Sequence, residues 1–200
     1  MTENVKHVLT LSIICLVTAT LLTGVYVLTN PKIVEQKAQQ ASLALRQVMP
    51  EAGYFEPVSL NGEAGYFKAY ASANKKKLLG YAFRAQAQGY SSVIETMAGI
   101  DRAGKITGIV VLAQNETPGL GARIEEVLVT QTLWQKIKEM FSSKQGPQPS
   151  TTQPWFCQQF VGQDIDDLTV DAISGATISS AALTDSVRQR AQQILEENER

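Results

Sequence analysis

Thr177 closes the run Asp171-Ala172-Ile173-Ser174-Gly175-Ala176-Thr177, a short apolar stretch that turns through small residues before a helical pattern from about Ser180 to Leu195. Ser174, Gly175 and Ala176 carry almost no side-chain bulk, so a large group can approach the backbone there. A helix start offers unpaired N–H groups and the positive end of a dipole, which together favour a phosphate. The run therefore reads as a phosphate seat with the Thr177 hydroxyl inside it. The same residues also read as an ordinary helix cap, because Ser and Thr accept N–H bonds at helix starts in any protein.

A second stretch offers backbone rather than side chains. In Asn115-Glu116-Thr117-Pro118-Gly119-Leu120-Gly121-Ala122, Pro-Gly marks a tight turn and Gly121 keeps the loop free of bulk. Alone it is also what a plain connector looks like. Other chemistries are excluded more firmly. The one histidine, His7, lies near the start, which removes His-based metal sites and Ser-His or Cys-His catalysis from the rest of the chain. A hydrolase built on Ser174 would lack both a nucleophile elbow and a histidine. Asp164, Asp166 and Asp167 show no cation-ligand spacing, and a solvated loop is expected there. A net charge of −1 gives no electrostatic case for nucleic acid.

The elements that must hold these stretches follow from periodicity. From Val8 to Leu28 there is no Asp, Glu, Lys or Arg. At about 1.5 Å per helical residue the run spans roughly 30 Å, a bilayer core. The apolar part of a signal peptide is shorter, about 7–15 residues, so the expectation is an uncleaved anchor at 8–28 behind a short tail at 1–7. Thr10, Ser12, Thr18, Thr20, Thr23 and Gly24 within it suit a partner helix, or else bond their own backbone. Asn30-Pro31 reads as a new helix start, Asn capping and Pro at the first position. It opens a polar helical stalk over 29–50 with a narrow apolar stripe of Ile33, Ala41, Leu45 and Val48, ended by Pro50. Cys15 lies inside the anchor and Cys157 far from it, so a disulfide between them is not expected.

Residues 51–200 read as the folded domain. Period-two alternation begins at Tyr66-Phe67-Lys68-Ala69-Tyr70 and resumes at Leu79, Tyr81, Phe83 and Ala85, with Lys75-Lys76-Lys77 as a solvated turn. Gly89-Tyr90-Ser91-Ser92 turns the chain, and Val93 to Ile100 and Ile106 to Gln114 are further strands. Short links between consecutive strands imply an antiparallel meander. Thr130 to Phe141 reads as an amphipathic helix with Leu133, Trp134, Ile137 and Phe141 inward, Lys144 to Pro154 as a loop, and Trp155 to Val161 as a returning strand. The fold class is α+β: one N-terminal transmembrane helix, then an antiparallel sheet packed by helices.

Asp171-Ala172-Ile173-Ser174-Gly175-Ala176-Thr177 resembles the flavinylation motif of the FMN-binding subunits of the Rnf and Nqr membrane redox complexes. Glu116-Thr117-Pro118-Gly119-Leu120-Gly121 resembles that family's second signature, and Gly89-Tyr90-Ser91 with Gly99-Ile100-Asp101 a looser third. Asn115 stands where the family often has histidine, and Ser92 where glycine is common; neither touches the attachment point. The compact length is more similar to the G subunit of Rnf than to the longer C subunit of the Na+-translocating NADH:quinone reductase, Nqr.

The resemblance implies FMN joined by a phosphoester to Thr177, with Ser174, Gly175 and Ala176 as the phosphate turn and Glu116, Thr117, Gly119 and Leu120 against the ring. It implies a separate flavin transferase for maturation and the other Rnf subunits (A, B, C, D and E types) as partners. The implied function is electron relay within an ion-translocating ferredoxin:NAD oxidoreductase, with no catalytic acid or base of its own and no resident metal. It also implies the bacterial inner membrane with the domain on the periplasmic side, although Lys32, Lys37 and Arg46 after the anchor point the other way by the positive-inside rule; a long domain can translocate regardless of such charges. The competing reading is a membrane-anchored scaffold or solute-binding domain without cofactor.

Overall fold

The structure is a computed structural model and describes residues 3–60, 63–126 and 154–199. The helix expected over Thr130 to Phe141 and the loop from Lys144 lie outside the described residues, Pro154 excepted. Helix α1 runs unbroken over Glu3–Val48 and contains Pro31. The separate helix start expected at Asn30-Pro31 is therefore corrected. Proline removes one backbone N–H, and α1 continues through it with that one intrahelical donor missing. Within α1, an apolar window of mean hydropathy 2.3 is long enough to cross a membrane. Thr10, Thr18, Thr20 and Thr23 each donate a hydroxyl proton to the carbonyl four residues earlier, at 2.8–2.9 Å. These hydroxyls are satisfied within their own helix.

The chain divides into two compact units, Met1–Ser42 and Leu43–Arg200. The second is built on one antiparallel sheet with strands in sequence order: β1 Tyr54–Leu60, β2 Glu63–Tyr70, β3 Leu78–Gln88, β4 Val93–Asp101 and β5 Ile106–Ala113. The meander is as the alternation predicts, with β1 added before it. Pro57 and Glu56 hide β1 from a periodicity test. Proline is tolerated there because β1 is an edge strand, where a missing N–H breaks no inner ladder. Downstream lie a 3-10 turn at Gly121–Glu125, a short helix α2 at Trp155–Gln158 and the long helix α3 at Thr177–Glu199.

Helix α2 over Trp155–Gln158, followed by a turn, replaces the strand expected from Trp155 to Val161. Aromatic residues suggest a strand, but Phe156 and Phe160 are four apart and fully buried on one side, stacked edge-to-face at 5.4 Å. That spacing is helical.

Both faces of the sheet are covered. On one, α3 contributes Leu183, Val187, Ala191 and Ile194, all buried, at the stripe spacing of an amphipathic helix. They meet Phe83, Ile100, Ile109 and Phe156. Each large apolar side chain so buried contributes roughly 1.5–3 kcal/mol. On the other face sit the last turn of α1, with Ala44, Leu45 and Val48, and the next residue, Met49, against Ala69, Ala82 and Met97. Gly99 and Gly108 face each other across β4 and β5 beneath that turn. A Cβ on Gly108 would stand 2.9 Å from the Val48 Cα, and Thr107 Oγ1 donates to the Val48 carbonyl at 2.6 Å. Of the stripe expected in the stalk, Leu45 and Val48 are buried and Ile33 is exposed.

Candidate functional site

Thr177 is the first residue of α3, so the helix begins three residues before the apolar pattern makes it visible. The turn ahead of it is closed by the Ala176 N–H donating to the Ile173 carbonyl at 2.8 Å. Gly175 takes φ +83° in this turn, a left-handed conformation that side chains resist. The Ile173 N–H donates to Ser180 Oγ at 3.2 Å, and the Ser180 N–H donates to the Ala176 carbonyl at 2.9 Å. Ala176 is thus the capping residue and has no side chain to cap with. The N–H groups of Thr177, Ile178 and Ser179 make no hydrogen bond among the described residues.

An open cavity of about 250 Å3 sits at this helix start, lined by Tyr90, Leu120, Gly121, Gly175, Ala176, Thr177, Ile178 and Ser179. Thr177 is exposed. Tyr90, Leu120 and Ile178 are 64%, 44% and 57% exposed, so three large apolar surfaces stand around the threonine without cover.

Glu116 lies beneath. It is 5% exposed and does not line the cavity. Its Oε1 accepts the N–H groups of Ser91 and Ser92 at 3.0 and 2.7 Å and the Ser92 hydroxyl at 3.1 Å. Its Oε2 accepts the Tyr90 N–H at 3.2 Å and the Ser179 hydroxyl at 2.8 Å. Burial pushes its pKa up, but the bonds from Ser179, Ser92 and Ser91 together outweigh it and hold the carboxyl below its ordinary range. Two glycines make the approach feasible. A Cβ on Gly121 would overlap Glu116 Oε2, and one on Gly89 would stand 2.6 Å from Oε1.

Four of the eight residues singled out from the sequence line one cavity: Leu120, Gly175, Ala176 and Thr177. Ser174 is not among the lining residues; its carbonyl accepts Arg123 Nη1 at 2.8 Å, while Arg123 Nε reaches Glu126 at 3.0 Å. Thr117 shapes the loop, its carbonyl accepting the Leu120 and Ala122 N–H groups at 3.1 and 3.3 Å. Gly119, at φ +79°, lies in a neighbouring open cleft with Pro118, Ala122 and Arg123. The sequence reading gave no site role to Tyr90, Ile178, Ser179 or Arg123, and gave Gly121 only that of keeping its loop free of bulk. Gly121 and Tyr90 fall inside the quoted motif blocks and were within its reach; Arg123 and Ser179 carry no local signal.

The fold and the site together define a class: an FMN-binding domain, the description of the family whose model matches residues 89–192, preceded by a membrane-length helix. Residues 2–48 match the RnfG N-terminal region. The G subunit of the ion-translocating oxidoreductase complex of Methanosarcina acetivorans is 31% identical, covering 92% of this chain and 91% of that protein. The corresponding protein from Pasteurella multocida is 30% identical, with 96% and 93% covered. The G subunit of the proton-translocating ferredoxin:NAD(+) oxidoreductase complex of Clostridium ljungdahlii is 25% identical, with 92% and 88% covered. The chain belongs to the G-subunit family of ion-translocating Rnf oxidoreductase complexes, and it is a membrane-associated FMN-binding protein.

Proposed function

We propose that Thr177 carries FMN as a phosphoester on Oγ1 and that the protein relays electrons between the other subunits of an Rnf-type ion-translocating oxidoreductase. The observation that carries this reading is the placement of an exposed hydroxyl at the first residue of a long helix, beside three N–H groups without acceptors among the described residues. Those donors fit a phosphate in charge and direction. Tyr90, Leu120 and Ile178 offer the uncovered apolar surface that a flat aromatic ring needs.

Residues on this chain do three things. Thr177 takes the flavin mononucleotide phosphoryl group of FAD from a flavin transferase: the Oγ1–P bond forms, the bond to AMP breaks and the hydroxyl proton is lost. Ser174, Gly175 and Ala176 leave the acceptor oxygen unobstructed, and the helix start stabilises the phosphate charge. Leu120 and Tyr90 would hold the ring at the cavity, with Glu116, Thr117 and Gly119 shaping the loop behind it. Bound FMN supplies the redox chemistry; the protein supplies position and electrostatics. A covalent link retains the cofactor without a deep pocket, which suits an exposed site that hands electrons to a neighbour. In this reading residues 8–28 cross the inner membrane, 29–50 form the membrane-proximal stalk and the domain of 51–200 faces the periplasm.

The full chain, produced with an active flavin transferase, is expected to gain about 438 Da and to give a fluorescent band on a denaturing gel, both lost in Thr177→Ala. A tryptic peptide containing Thr177 carries the added mass. Wild-type protein without that gain overturns the reading. Tight, stoichiometric, non-covalent FMN retention by Thr177→Ala counts against the shallow site.

A further inference from the structure

Strand β3 outruns its neighbour. It pairs with β4 from Gly80 to Gln88, but with β2 only as far as Phe83, opposite Tyr66. Residues 84–88 therefore have one side of the strand unpaired among the described residues. The direction of their backbone groups follows from the hairpin. The Gly89 N–H donates to the Ser92 carbonyl at 2.8 Å, so this pair is hydrogen-bonded. Counting back along an antiparallel ladder, bonded and non-bonded pairs alternate. Ala87 and Ala85 then direct their groups at β4, while Gln88, Gln86 and Arg84 direct theirs outward to the open side. Where the ladder stops, the Gly65 carbonyl, which would meet Arg84, accepts Arg190 Nη2 of α3 at 3.1 Å, and the register of β1 and β2 shifts opposite it.

A cleft of about 570 Å3 runs along this edge between β3 and α3, lined among others by Gly65, Arg84, Gln86, Gln189, Arg190 and Gln193. None of its described lining residues is acidic. Arg84 is exposed and makes no ion pair among the described residues. Glu95 lies one strand inward, where Gln86 Nε2 donates to it at 2.9 Å. The edge also leads somewhere: two residues past Gln88, Tyr90 lines the Thr177 cavity.

We propose that residues 84–88 of β3 are a docking edge for an extended, acidic segment of a partner subunit, which adds to the sheet as a strand and brings that subunit beside the Thr177 cavity. Five residues at about 3.4 Å each give an edge of about 17 Å, enough for a short added strand. Main-chain bonds to Arg84, Gln86 and Gln88 hold the segment, and the two arginines select for carboxylates. An edge this exposed, without Pro, Lys or a bulge, invites pairing unless its partner is provided. The inference rests on family membership and on strand pairing, and it does not depend on the covalent flavin.

The test uses the complete complex, purified in detergent through a tag on this chain, and the full chain alone. Amide hydrogen exchange at Arg84, Gln86 and Gln88 is expected to slow at least tenfold in the complex relative to the chain alone. Gln86→Pro removes one outward donor and no inner ladder bond; it is expected to lower recovery of the partner subunits about tenfold while the fluorescent flavin band stays at the wild-type level. Arg84→Glu is expected to lower recovery similarly, and raised salt to narrow its difference from wild type. Unchanged exchange on assembly overturns the proposal, as does wild-type recovery with both variants. Protection that appears in the chain alone as its concentration rises also overturns it, since it assigns the edge to a second copy. A wild-type chain that assembles without a flavin band contradicts the flavin reading and leaves this one standing.

Discussion

The Ser179 hydroxyl donates to Glu116 Oε2 at 2.8 Å across 63 positions of sequence. That bond joins the first turn of α3 to the loop after β5, and the other Glu116 oxygen joins both to the turn between β3 and β4. One buried carboxylate thus fixes the three segments that bring Tyr90, Gly121 and Thr177 to the same cavity.

Removing that carboxylate leaves the N–H groups of Tyr90, Ser91 and Ser92 and the Ser179 hydroxyl without their acceptor. Glu116→Ala is expected to destabilise the domain by about 3 kcal/mol or more, since each buried donor left without its acceptor costs about 1–3 kcal/mol. Glu116→Gln keeps one acceptor but turns an amide donor against other donors, at a cost of about 1.5–3 kcal/mol. Urea midpoints of the full chain in detergent check the order. Flavin attachment should fall in the same order.

The pH dependence follows from the lowered Glu116 pKa. The folded state holds the carboxylate more tightly than the unfolded chain does. The stability this group supplies is therefore complete above its ordinary value of 4.5 and is lost as pH falls through the lower folded value. Thermal midpoints from pH 7 to pH 3 should show the gap between wild type and Glu116→Gln closing only below about 4.5. A gap that closes already between pH 7 and 6 contradicts the assignment.

Gly121 and Gly119 should separate under the same substitution. Gly121→Ala puts a Cβ into Glu116 Oε2 and 2.7 Å from Ser179 Oγ. Displacing that network costs about 1–3 kcal/mol and should lower flavin attachment. Gly119 has nothing within 4 Å, so Gly119→Ala meets only the strain of φ +79°. That is about 1–2 kcal/mol and should be partly relieved in Gly119→Asn. Paired denaturation curves and flavin band intensities distinguish the two.

Cys157 is fully buried in the main core, and burial, with a smaller contribution from Glu125, pushes its thiol up to about 12. The thiolate is the reactive species, so native protein should resist iodoacetamide at pH 8 at this position. Denatured protein should label fully, as peptide mapping would show. Fast labelling of Cys157 in the folded chain would contradict the core described above.

Local pattern by itself determined the membrane-length helix, the four strands from Tyr66 onward, the turn at Ser174 to Ala176 and the hydroxyl that follows it. Each is written in spacings of two to seven residues, where steric and hydrogen-bonding preferences act directly. Tertiary structure alone decided the rest. Whether Trp155 to Gln158 form a strand or a helix, with Phe160 in the turn that follows, depended on the core that Phe156 and Phe160 face. Pro57 belongs to a strand because that strand is an edge. Glu116 is bonded beneath the cavity because Ser91, Ser92 and Ser179 converge on it from elements far away in the chain, and the glycines at 89 and 121 leave room for them. Such convergence is a property of packing: no local preference encodes it, and it exists only once the sheet and α3 have closed on each other.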